Sequence, residues 1–148
     1  MSQEAPYPAL QEGLRRLRAS WPKNQPAGVV WGDARIGNMM FDENFEVVAV
    51  MDWEQPSLGG ALHDLAWWVT IGETMHGATA DRAHLEGAGT RDETIALWRE
   101  ITGISTDDIE WYEGFTRLKI ACLGTRMAAL RGYPAPTEHE MARRMRLD

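Results

Sequence analysis

The chain has 148 residues, 44% apolar and 25% charged, the balance of a single folded domain rather than a disordered or fibrous polypeptide. Its 15 basic and 22 acidic residues leave a net charge of −7, the wrong sign for a nucleic-acid surface. No apolar run approaches the roughly 20 residues of a membrane helix, and residues 1–10 lack a signal-peptide core. The lone Cys122 can form no internal disulfide, so a cytoplasmic protein without membrane or nucleic-acid partners is expected.

In chain order, Leu10, Leu14 and Leu17 lie at helical spacing between Pro8 and Ser20, with Arg15, Arg16 and Arg18 on the wet side. The prolines at positions 22 and 26 end that helix. Residues 28–31 read as a short buried strand. Residues 38–41 and 45–51 read as a hairpin whose turn is Asp42-Glu43-Asn44, and the second strand, rich in Val, is the strongest strand signal in the chain.

Everything after Leu62 reads as helical. A helix from Leu62 to about Glu73 carries Leu65, Ala66, Val69 and the Trp67-Trp68 pair. Residues 77–89 are small and polar, a loop. Thr90 and Glu93 form a capping box for a helix to Ile101, and Ser105 with Asp108 repeats the device before a long helix to about Leu130. That helix is expected to turn Ile109, Tyr112, Phe115, Leu118 and Cys122 inward, and residues 138–145 form a weaker terminal helix. The fold class is α+β, mostly α: one domain in which a small β-hairpin leads into a helical bundle.

Sixteen of the acidic residues lie between Asp42 and Glu113, against three arginines. These are read as solvated helix faces, although such a surface also attracts cations. His63, His76, His84 and His139 lack zinc-ligand spacing, and Ser57 has no nucleophile-elbow glycines. Most of the seven tryptophans are expected to pack the core, while Trp53, beside Asp52, is placed to line a cleft.

Chemistry concentrates in Trp31-Gly32-Asp33-Ala34-Arg35-Ile36-Gly37-Asn38 and in Asp52-Trp53-Glu54. Asp33 and Asn38 stand five positions apart in a loop between strands. Asp52 follows the hairpin's second strand, which can return it beside Asn38. A carboxylate and an amide oxygen converging there make an oxygen-only site suited to Mg²⁺, leaving Asp33 to orient a hydroxyl or accept its proton.

This order is that of kinase-type phosphoryl transfer. It resembles the aminoglycoside phosphotransferase family, whose loop runs His-Gly-Asp-x-x-x-x-Asn and whose metal motif runs Ile-Asp-Trp/Phe-Glu. The resemblance is nearest to the kinase domains associated with acyl-CoA dehydrogenases, with Gly-Asp-x-Arg-x-Gly-Asn, Asp-Trp-Glu, Leu-Gly and Asp-Leu-Ala-Trp. The corresponding residues here are 32–38, 52–54, 58–59 and 64–67, and the dense match runs from about Val29 to Val69.

The resemblance implies the C-terminal lobe of a protein-kinase-like fold and transfer of the γ-phosphoryl group of ATP to a small-molecule hydroxyl. Carried over by motif, Asp33 resembles the catalytic base or hydroxyl-positioning residue, Asn38 and Asp52 resemble the Mg²⁺ ligands that bridge the nucleotide phosphates, and Asp64 resembles the Asp that braces the catalytic loop through backbone N–H groups. Arg35 either contacts phosphate or substrate or pairs with a nearby acid. Glu54 either supports the metal shell or the substrate hydroxyl, or has no such role.

Two departures stand out. Trp31 occupies the family's usual His position, a loop-buttressing one. Within this sequence only 32 residues precede Asp33, its lysines are Lys23 and Lys119 and it has no Gly-rich phosphate loop, so the family's nucleotide lobe is not expected in these residues. Activity is therefore expected only with an N-terminal lobe, or with a homodimer partner completing the site. The competing expectation is a non-catalytic binding or assembly module derived from the lobe.

Overall fold

The computed structural model describes residues 7–23, 27–77 and 89–147. The loop expected at 77–89 lies almost wholly outside them. Among the described residues no helix is long and apolar enough to cross a membrane.

The elements are α1 (Pro8–Ala19), β1 (Val29–Val30), a 3-10 turn at Ile36–Asn38, β2 (Met39–Phe41), β3 (Val47–Val50), β4 (Ser57–Leu58), α2 (Leu62–Gly77), α3 (Arg91–Thr102), α4 (Ile109–Arg131) and α5 (Glu138–Arg144). They fall into two compact units, one of residues 1–23 and 114–148, the other of residues 24–113.

In the first unit α1 packs on α5 around Ala9, Leu118, Ala121, Met141 and Met145. Ala9 N–H donates to Glu138 Oε2 at 2.7 Å, giving an orphan donor at the start of α1 a partner from the other helix. A Cβ on Gly13 would stand 3.1 Å from Met145 Sδ, so the helices approach closely where the side chain is missing. The terminal helix is better defined than its sequence suggests. Thr137 and Glu140 form a full capping box, and Met141 is buried.

In the second unit α2 brings Leu62, Leu65, Ala66 and Val69 against Ile109 and Tyr112 of α4, with Ile95 and Trp98 of α3 alongside. The expected capping box at Thr90 is formed, and Gly103 ends α3 in the left-handed conformation with φ 68°. Arg91 Nε donates to the buried Glu113 carboxylate at 2.6 Å, tying α3 to α4.

Several expectations are corrected. Cys122 is exposed, and Ala121 takes the inward position, because the buried stripe of α4 runs through Tyr112, Thr116, Leu118 and Ala121; Phe115 is only half-buried. Ser105 accepts from Asp107 N–H at 3.1 Å in a local turn instead of capping a helix, and α4 begins at Ile109. Val29 is exposed while Val30 is buried.

The hairpin forms with Met39 opposite Val50, Met40 opposite Ala49 and Phe41 opposite Val47, and with an irregularity between Met40 and Phe41. Its second strand is shorter than expected. Asp42 Oδ1 accepts from both Asn44 N–H and Glu46 N–H, and Phe45 is driven to φ 63° inside that turn. All four residues of β3 are exposed, so this strongest of strand signals reflects β propensity and not burial. The segment after Asp52 pairs back on β1 through β4, Val29 with Leu58 and Val30 with Ser57. Nothing in Pro56-Ser57-Leu58-Gly59 announces that strand.

Candidate active site

The site lies wholly within residues 24–113. Its first anchor is α2. Asp64, in the opening turn of that helix, accepts from Trp31 N–H and Gly32 N–H, each at 2.8 Å, one on each carboxylate oxygen. Two successive backbone donors converging on one carboxylate fix the entry of the loop. Gly32 has φ 94° and its backbone crowds Gln55, so a side chain fits neither the conformation nor the space.

Asp33, 14% exposed, is held by three donors. Trp67 Nε1–H bonds Oδ1 at 2.9 Å, Asn38 Nδ2 bonds Oδ2 at 2.8 Å, and Arg35 Nε–H bonds Oδ2 at 3.0 Å. Oδ2 is thus filled, while Oδ1 keeps one acceptor direction. Asn38 is buried, and its amide also donates to the Asp33 backbone carbonyl at 3.0 Å. With its NH₂ spent on Asp33, the group that Asn38 offers to anything else is its carbonyl oxygen.

The hairpin then delivers Asp52. Met51 N–H donates to the Asn38 carbonyl at 2.8 Å, extending the β2–β3 pairing by one step. Asp52 follows immediately, exposed and at φ 61°, a left-handed conformation that Asp tolerates better than most side chains. The side chains of Asp33 and Asn38 are therefore bonded directly, and Asp52 is brought to the same end of the hairpin through the backbone.

The remaining expected residues divide. Arg35 pairs with Asp33 and folds over Gly37, where a Cβ would lie 2.5 Å from its Nη1. Glu54 is exposed, two residues past Asp52, and shares none of the hydrogen bonds that organise the loop. Sequence reasoning missed Trp67 as a partner of Asp33. The signal was available: Asp64 and Trp67 are three apart on one helix face, so a helix whose Asp braces the loop also presents its Trp there. The indole of Trp31 is buried and donates to the Met51 carbonyl at 2.7 Å, so it ties the start of the Asp33–Asn38 loop to the segment carrying Asp52.

The donor set fits a hard divalent cation. An amide oxygen and a carboxylate are oxygen ligands of the kind Mg²⁺ takes when substrate phosphates and water supply the rest. Among the described residues no group of three or more His, Cys, Asp or Glu could hold a metal ion.

A carboxylate and an amide joined in one loop, followed by a hairpin ending in a second carboxylate and set on helices, follow the order of the kinase-type phosphoryl-transfer template. The profile of the phosphotransferase enzyme family (APH) matches residues 2–103, and the chain belongs to that family. A crystal structure from Ralstonia eutropha assigned as an aminoglycoside phosphotransferase superposes with a TM-score of 0.67 at 24% identity, covering 99% of this chain and 47% of the other, which shows the shared fold. Mouse acyl-CoA dehydrogenase family member 10 is 38% identical over 61 residues, 40% of this chain and 6% of that protein. Human acyl-CoA dehydrogenase family member 11 is 27% identical over 113 residues, 70% of this chain and 14% of that protein. The chain thus spans a small part of the length of these relatives.

Proposed function

We propose that this chain is the catalytic lobe of an ATP-dependent phosphotransferase that moves the γ-phosphoryl group to a hydroxyl of a small molecule. The observation that carries the reading is the 2.8 Å side-chain bond between Asn38 and Asp33, in a loop where the Asn38 backbone carbonyl receives the N–H of Met51, next to Asp52.

Asp33 would hold the acceptor hydroxyl and take its proton as the oxygen–phosphorus bond forms and the bond to the leaving ADP breaks. Trp67 and Asn38 keep that carboxylate in one orientation, which is where positioning replaces covalent chemistry. The Asn38 side-chain Oδ1 and the Asp52 carboxylate would hold Mg²⁺. When bound, the ion neutralises charge on the phosphate oxygens. Arg35 stands within the same loop to meet a phosphate or an anionic acceptor. Acidic helix faces admit a cationic acceptor, and the family resemblance equally admits a hydroxyacyl metabolite.

The proposal includes a nucleotide-binding lobe beyond these residues. Phe45, Val47, Val48 and Val50 form an exposed apolar hairpin suited to covering by that lobe or by a homodimer partner. The same surface favours the second reading, a non-catalytic assembly module. A cytoplasmic setting belongs to the proposal on the strength of the single thiol. The test is phosphoryl transfer from radiolabelled ATP to a panel of hydroxyl compounds, with the chain joined to a nucleotide lobe. Asp33→Asn should reduce the rate by at least about a hundredfold. An unchanged rate removes Asp33 from its role, and dimerisation through the hairpin with no nucleotide response selects the second reading.

A further inference from the structure

Two indoles bracket Asp52. Trp31 Nε1–H donates to the Met51 carbonyl at 2.7 Å, and Trp53 Nε1–H donates to the Val50 carbonyl at 3.2 Å. The two rings pack with centroids 5.9 Å apart at 33°. Both carbonyls belong to the residues immediately before Asp52, and the Val50–Met51 peptide is also held from its other side through the Met51 N–H to the Asn38 backbone carbonyl. Trp31 is in turn fixed to α2, since its own backbone N–H bonds Asp64.

A buried Trp commonly finds some acceptor for its N–H, so that bond by itself would signify only packing. What distinguishes these two is their target. Asp52 sits at φ 61°, a conformation that most non-glycine residues leave unless their surroundings hold them. The two peptides leading into it are pinned by side chains from either side of the turn. A phenylalanine at either position would keep the ring contact but leave the carbonyl without its donor.

We infer that Trp31 and Trp53 form an indole clasp that holds the Val50–Met51 backbone and thereby keeps Asp52 left-handed, with its carboxylate presented to a divalent cation. Both are positioning residues. Neither ring touches the ion; each acts through the peptide ahead of its ligand. The cation part of this inference rests on the function proposed above, whereas the conformational part does not.

The experiment uses isotope-labelled chain and two readouts. The first is the strong intraresidue amide-to-Hα nuclear Overhauser effect that a positive φ gives Asp52. The second is Mn²⁺ added alone, followed by paramagnetic broadening of the Asn38 side-chain amide. Trp31→Phe should abolish the Asp52 effect and weaken Mn²⁺ binding about tenfold, the size typical of losing a group that orients a metal ligand. Helical circular dichroism should be retained. Should Trp31→Phe fail to fold, Trp53→Phe decides instead, because Trp53 is exposed and its ring is not needed for the core. Retention of both signals in the folded variant overturns the inference. So does loss of the Asp52 effect with Mn²⁺ affinity intact, since the clasp would then hold a turn without positioning a ligand. Asp52→Ala separates the two levels: broadening that survives it contradicts the metal site, and the Overhauser effect in Trp31→Phe still decides whether the indole holds the turn.

Discussion

The Asn38 side-chain amide donates twice to one residue, at 2.8 Å to the Asp33 carboxylate and at 3.0 Å to its backbone carbonyl. The side chain expected to hold the metal therefore also fixes the side chain expected to handle the acceptor. Asn38→Ala would remove both donors in a buried setting. A loss of roughly 1–3 kcal/mol in unfolding free energy is expected from denaturant titration, because Asp33 is left short of partners.

Asp64 reads out more locally. In Asp64→Asn one oxygen becomes an NH₂ facing a backbone N–H, so at most one of the two bonds to Trp31 and Gly32 survives. Hydrogen exchange at those two amides should accelerate by about tenfold or more, corresponding to about 1.4 kcal/mol of local opening, while the amides of α5 are unaffected.

The Arg91–Glu113 pair has a buried carboxylate and an arginine that is 31% exposed. Hydrogen bonding to Glu113 holds the Arg91 guanidinium above its usual range, while partial burial opposes the shift. Arg91→Ala takes the guanidinium donor from the buried carboxylate, and a cost on the order of 2 kcal/mol is expected, below that of a completely buried pair. Adding Glu113→Gln should recover most of it in thermal denaturation. Equal stability of Arg91→Ala and the wild type would show that the pair contributes nothing.

Acid should act on the α5 cap. Backbone hydrogen bonding at Thr137 holds the Glu140 carboxyl below its ordinary 4.5. A depressed folded value means that the contribution is present above about 4.5 and fades as pH falls through the lower folded value. Exchange protection of the α5 amides should weaken over that window in the wild type. In Glu140→Gln it should be flat there.

The legible part of this chain was its loops. The Asp33–Asn38 interval, the Asp42 turn and the hairpin order are local patterns, and local patterns survive in sequence. What was not legible depends on contacts far apart in the chain. The two-residue pairing of β1 with β4 needs residues 27 and 29 positions apart, and neither strand has enough residues to declare a period. The exposure of Val47–Val50 is invisible because Val-rich strands look alike whether or not anything covers them. Cys122 was assigned inward from spacing alone, and a shift of one residue in the buried stripe of α4 reversed it. Trp67 was counted as core, and it is buried, but its indole N–H meets Asp33.

The most direct test of the central claim is calorimetric titration of this chain, joined to a nucleotide lobe, with Mg²⁺·ATP up to millimolar concentration, with Asp52→Ala in the same joined protein alongside. The account predicts magnesium-dependent binding to the wild type that weakens at least about tenfold in the variant. Equal binding by the two proteins, or none by the wild type, would contradict the assignment of Asp52 as a ligand of the nucleotide-bound metal.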